Sequence, residues 1–508
     1  MKEPRGNNAQ AAAPEACEAG GAKQLQFSND GSLAALVLQD RVDVYPTSDW
    51  KRSATIGRER GLESMTLTPD GRYLFLAIQA DGESRTSLSL SETKTGQTIW
   101  RGATALPPLT GMAVVVAPDS SWFAFAEITE VDQPPVVELL SLPGLDELGK
   151  FAVPGRIERL RRPTWHPRAL PPPKPARGMP GMSFSVPNGP PDWGHDVVTR
   201  DPAASVERLS VGADSKHLLI GWSDGSTSLI DARGAKEVAG LVGFGGEFSP
   251  SGRFIALGRV SGAIALYDTE KRRGTLFYDP LCQANPYQSF SSFSPDERLV
   301  ALAGSSFRVC LAETTSAKGK GLVPPQVPTQ GAFEDEGFAQ PGAWVSDGSG
   351  LLVSPGMGKP LGLYALGTSK FTQLSRELKA DDPRVDNASA GVIRRMKDQS
   401  LVVFNSGGRP GVEIVGLQVH PLARGSSDFS LAAASPDGEV YARQEAGAVV
   451  VKSTRGGGVI TTLEGAGSPA FDPSGRFLHT TGPAGVRVWN ARSGERLFTL
   501  RACSSNPT

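Results

Sequence analysis

At 508 residues, with 39% hydrophobic and 21% charged side chains, the chain is long enough to bury a large core, and its composition excludes a disordered or membrane-embedded protein. A net charge of −1 and a pI near 6.6 exclude the broad positive field that sequence-independent nucleic-acid binding needs, and no run reaches the roughly 18 consecutive apolar residues of a spanning helix. Four cysteines, Cys17, Cys282, Cys310 and Cys503, stand at no metal-ligand spacing and make no disulfide scaffold, so reduced thiols are expected, with a Cys282–Cys310 bridge only in an oxidising compartment.

Residues 1–22 are rich in Ala, Gly, Glu and Asn and lack the apolar centre of a secretory signal; they read as a disordered tail on a cytoplasmic protein. From Lys23 onward one turn pattern recurs: an apolar strand end, a corner built on Pro, Asp and Gly, a basic or aromatic residue, then an apolar run. The first copies are Phe27-Ser28-Asn29-Asp30-Gly31, Leu67-Thr68-Pro69-Asp70-Gly71-Arg72-Tyr73-Leu74 and Val116-Ala117-Pro118-Asp119, with Trp165-His166-Pro167 as a fainter match. Seven more follow Val206. They begin at Val211, Phe248, Phe293, Val345, Met396, Ala434 and Phe471, and the fullest are Phe248-Ser249-Pro250-Ser251-Gly252-Arg253-Phe254 and Phe293-Ser294-Pro295-Asp296-Glu297-Arg298-Leu299. Neighbouring copies lie roughly 40 to 50 residues apart, the length of one propeller blade.

Proline presets φ at such a corner, Asp bonds back to its own backbone, and Gly takes positive φ, so each copy joins two antiparallel strands. A strand of alternating character follows some ten residues later, as in Ile264-Ala265-Leu266-Tyr267-Asp268 and Val486-Arg487-Val488-Trp489-Asn490. Turns at Thr95-Gly96-Gln97 and Arg492-Ser493-Gly494-Glu495 then lead to an outer strand, which gives four strands per repeat. A leaflet this small buries neither face alone, and stacking successive leaflets around an axis covers both.

These residues resemble the WD-repeat propeller family, and more closely its bacterial branch with Phe-Ser-Pro-Asp-Gly-Arg repeats, over nearly all of Lys23 to Leu500. The resemblance implies an all-β propeller of four-stranded antiparallel blades. Tyr267-Asp268 and Trp489-Asn490 match the family's aromatic-acid ending, whereas the Gly-His pair that opens a typical repeat is not recognisable, so these blades are expected to rely more on packing and turns. The repeats divide into residues 23–162 and a seven-repeat region at 206–508, forming two lobes or tandem rings, or alternatively one large ring. Between them, residues 163–205 crowd prolines around Pro171-Pro172-Pro173 and Pro190-Pro191 and read as a linker or inserted loop.

No nucleophile elbow, phosphate loop or zincin helix is present, the five histidines are scattered, and the turn aspartates are explained by the turns, so no catalytic, metal or cofactor site is expected. The Asp-box of sialidase propellers fails at Ser346-Asp347-Gly348. Lactonase-like propellers are similar in their turns, as at Pro69 to Leu74, and supply the enzymatic alternative. The favoured function is a non-enzymatic scaffold that binds a protein or peptide. Its contact residues are expected on the insertions and on a basic run: Trp193, His195 and Asp196; Glu334, Asp335 and Glu336; and Arg159, Arg161 and Arg162.

Overall fold

The computed structural model describes residues 15–19, 24–38, 41–57, 62–79, 86–104, 114–127, 135–153, 204–258, 263–277, 291–303, 309–323, 340–354, 362–374, 392–404, 412–421, 433–445, 448–464, 468–482 and 485–503. Every regular element among them is a β-strand. The strands pair in chain order as antiparallel groups of four, the blades of a β-propeller. In chain order ten four-strand leaflets among the described residues span residues 24–57, 62–104, 114–151, 206–242, 244–277, 291–323, 340–373, 392–421, 433–464 and 468–503, and they are called the first to tenth sheets below, although Thr104 at the end of the second pairs with Glu127 of the third and so joins those two into one eight-stranded sheet. Among the described residues three leaflets precede the proline-rich stretch and seven follow it, each carrying one of the turn copies. Within the segment read as a tail, Glu15–Ala19 joins the tenth sheet as a fifth strand, parallel to Arg496–Cys503.

The chain forms two compact units, one of Met1–Ala103, Gly391–Ile414 and Val419–Thr508, the other of Thr104–Ala390 and Val415–Gln418. In each, apolar clusters lie between consecutive sheets. In the first unit they join the eighth sheet to the ninth, the ninth to the tenth, the tenth to the first and the first to the second. In the second unit they join the third sheet to the fourth, and so on through the seventh. Because both faces of a leaflet are covered, its middle strands carry unbroken apolar runs: all five residues of Phe254–Gly258 and of Ile264–Asp268 are buried. An outer strand has less to bury and alternates, as Ala54–Gly57 does.

Cys310, buried in strand Val309–Glu313, is disulfide-bonded, which corrects the expectation of reduced thiols. Among the described residues no helix is long and apolar enough to cross a membrane.

Candidate functional site: turn latches and a polar basin

Where the corner opens on serine or threonine followed by aspartate, it is a closed hydrogen-bond circuit. In the first sheet the Ser28 hydroxyl donates to Asp30 (2.7 Å), the Leu33 amide donates to Ser28 Oγ (3.0 Å), and the Ser32 amide donates to Asp30 (2.9 Å). Thr68–Asp70–Tyr73, Ser294–Asp296–Leu299 and Ser435–Asp437–Val440 repeat it. In the tenth sheet Asp472 stands at the serine position and accepts from the Phe477 amide at 2.7 Å. Hydrogen bonding to Ser28 and to the Ser32 amide holds the Asp30 carboxyl below its ordinary range. A threonine after the third strand ties the corner from behind: Thr47 donates to Gly31 O, Thr93 to Gly71 O and Thr314 to Glu297 O, at 2.6–2.7 Å.

At several corners the last position, where φ is positive, reaches the preceding sheet of the same unit. Gly31 of the first sheet abuts the Asp472 corner of the tenth, Gly71 abuts Ser28, Gly252 abuts Asp214, and Gly475 abuts Ser435. At two corners where the position is not glycine, the side chain makes a bond instead. Ser215 (φ 55°) accepts from the Asp119 amide at 3.0 Å, and its carbonyl accepts from the Trp122 indole at 2.9 Å. Glu297 (φ 55°) accepts from the Ser251 amide at 2.6 Å and from the Ser251 hydroxyl at 2.7 Å. Cations reinforce these latches: Arg476 donates to the Gly31 carbonyl at 3.1 Å, and Arg233 to Asp119 at 3.4 Å. Spacing along the chain gives no sign of these partners, which sequence reasoning missed.

Corners of the fifth, sixth and seventh sheets frame a basin of about 630 Å³, lined by Arg253, Glu297, Arg298, Glu313, Thr315 and Lys320 among others, with Phe254 beneath. Most of its charges are committed. Arg253 stacks on the Phe254 ring (4.9 Å) and pairs with Asp268 (3.0 Å) and Glu270 (3.2 Å). Lys320 and Ser316 hold the Glu313 carboxyl below its usual range. For Asp268 burial pushes the other way, and the hydrogen bonds from Arg253 and the Lys271 amide outweigh it, leaving the carboxyl lowered. Arg298 differs: its side chain is 85% exposed, and its ion pair with Asp296 is long, at 4.0 Å. What this basin offers is an available guanidinium among fixed hydrogen-bonding groups.

The first strands hold a second polar feature in the same unit. Glu247 accepts from Ser291 Oγ at 2.8 Å; burial raises its carboxyl, partly opposed by that bond and by the Arg208 charge. Among the described residues no group of three or more His, Cys, Asp or Glu is placed to hold a metal. Trp193, His195, Asp196, Arg159, Arg161, Arg162, Glu334, Asp335 and Glu336, with the whole of 163–203, lie outside the described residues.

The strand pairing and the turn circuits define the class, an all-β chain built of propeller blades. No family model matches the chain, and no curated protein matches it. Among solved structures it is similar to the β-propeller domain of Myceliophteria thermophila Cps50 (Swd1), at 14% identity and a TM-score of 0.30, over 70% of this chain and 98% of that one.

Proposed function

We propose that the chain is a non-enzymatic scaffold whose corner face binds a protein or peptide partner, with the basin of the fifth to seventh sheets as the contact. The observation that carries this reading is the state of the recurrent polar groups: most Ser, Thr and Asp side chains of the corners are spent on turn and latch bonds, which favours rigidity over chemistry, while the exposed Arg298 lines a basin large enough for a short segment. A guanidinium so placed suits a carboxylate on the incoming chain. The disulfide at Cys310 favours an oxidising compartment over the cytoplasm expected from the tail.

Charge reversal tests the basin. Arg72 holds the same corner position in the second sheet, is 72% exposed and pairs with its own Asp70 at 3.5 Å, so it is the matched control. In quantitative affinity capture, Arg298→Glu is expected to lower recovery of the specific partner by tenfold or more, about 1.4 kcal/mol, with Arg72→Glu unchanged. Equal recovery from both variants would remove the basin from the interface.

One observation favours hydrolysis as the second reading, the Glu247–Ser291 pair with its raised carboxyl. Turnover of lactone or ester substrates, abolished by Glu247→Gln with the fold intact, would overturn the scaffold reading.

A further inference from the structure

The tenth sheet packs against the first through an aromatic cluster. Phe27 stacks on Phe477 at 5.9 Å, Trp50 meets Phe477 edge-on at 5.6 Å, and Trp50 stacks on Phe498 at 5.5 Å. One ring in the cluster is ionisable. His479, in strand Phe477–Gly482, lies 5.7 Å from the Phe27 ring, and its Nδ1 is buried without a hydrogen-bond partner. Its register neighbours are Ala470 on one side and Val488 on the other.

Few charges share this seam. From the tenth sheet come Asp472, which favours a proton on the ring, and Arg476, whose guanidinium is engaged with the Asp30 and Gly31 carbonyls. Arg487 lies opposite Thr480, whereas Val486 and Val488 belong to the seam cluster. From the first sheet come Asp30, bonded to Ser28 and Ser32, and Asp43, bonded to Arg41, Arg52 and Thr55. Strands Gln24–Phe27 and Leu33–Val37 bring no charged residue.

We propose that the seam between the first and tenth sheets is an acid-operated closure, in which His479 takes up a proton in a setting with no acceptor for its Nδ1–H and the two sheets part. Burial holds the ring's pKa down at about 4 against an ordinary 6.5, with Asp472 only partly opposing. Since the closed state binds the proton less tightly than the open one, closure is complete above about pH 6.5 and weakens as pH falls toward 4. For one such group the opening constant rises about 60-fold between pH 7 and pH 4.5.

Hydrogen exchange of the full chain tests this, corrected for intrinsic rates and referred to strands Phe254–Gly258 and Ile264–Asp268 of the other unit. Amides of Leu33–Val37 and Phe477–Gly482 are expected to lose protection by about 60-fold on going from pH 7 to pH 4.5, with the reference strands changing far less. His479→Phe keeps the packing without the proton site and is expected to flatten the response; His479→Leu repeats the test if the larger ring does not fit. Wild-type protection that follows the reference strands, or an acid response retained in a folded variant, would overturn the proposal.

Discussion

Gly31→Val is expected to destabilise the first unit by about 4 kcal/mol, read as a shift in its denaturation midpoint. Two costs add. At φ +67° a β-branched residue is strained by roughly 1–3 kcal/mol. A Cβ there would also lie 2.5 Å from Asp472 Oδ2 and 2.6 Å from Ser474 Oγ, so the tenth sheet's corner must yield, at roughly 1–3 kcal/mol. Asp472 has little freedom to yield, being fully buried and bonded to the Phe477 amide, the Ser474 amide and the Ser474 hydroxyl. Gly416 separates the two costs: its φ is +56° and a Cβ there would meet nothing within 4 Å. Gly416→Val is therefore expected to cost only the backbone strain. Equal losses at both glycines would mean that the corner of the first sheet does not bear on the tenth.

Trp122→Ala is expected to cost the second unit about 4 kcal/mol. The side chain is 2% exposed and packs in the cluster that joins the third sheet to the fourth. Truncating a buried tryptophan typically costs about 3–5 kcal/mol, from lost burial plus the cavity left behind. The indole N–H also satisfies the Ser215 carbonyl across that interface, and removing it leaves a buried acceptor unpaired. Trp122→Phe retains most of the volume and loses the bond, so it is expected to fall between, near 1–2 kcal/mol. Denaturant midpoints followed separately for the two units are the measurement, since an array of this length need not unfold in one step. A loss below about 1 kcal/mol for the alanine variant would contradict the packing described.

Much of this architecture is legible in the sequence because its determinants are local. Ser28, Asp30 and Leu33 close their circuit within five residues, so the corner appears as a motif, and counting corners counts sheets. The unbroken apolar run Phe254–Leu257 announces a strand covered on both faces for the same reason. The latches are hidden because they join residues far apart in the chain: 46 positions from Ser251 to Glu297, 96 from Asp119 to Ser215 and 445 from Gly31 to Arg476. Ser215 and Glu297 stand in sequence where other copies of the corner have glycine, and nothing local says what their side chains reach. In the fold they are the copies whose side chains bond the sheet before. The basin is illegible on similar grounds, since Arg253, Arg298 and Lys320 come from two sheets and each looks like an ordinary surface charge.

Opposite charges across these corners are numerous but mostly exposed. Arg492 to Glu439 at 3.4 Å and Lys397 to Asp437 at 3.7 Å each contribute about 0–1 kcal/mol, so they tune the alignment of sheets that the apolar clusters already hold. The latch bonds differ in geometry, because a corner already fixed by its own circuit presents them without further ordering.

That the positive-φ corner locks a sheet onto the one before it within each unit is tested most directly at Ser251 and Glu297, by a double-mutant cycle of Ser251→Ala and Glu297→Ala in denaturant. A favourable coupling of about 0.5–1 kcal/mol is expected from the bond between the two side chains. Losses that simply add, leaving a coupling within about 0.2 kcal/mol of zero, would contradict it.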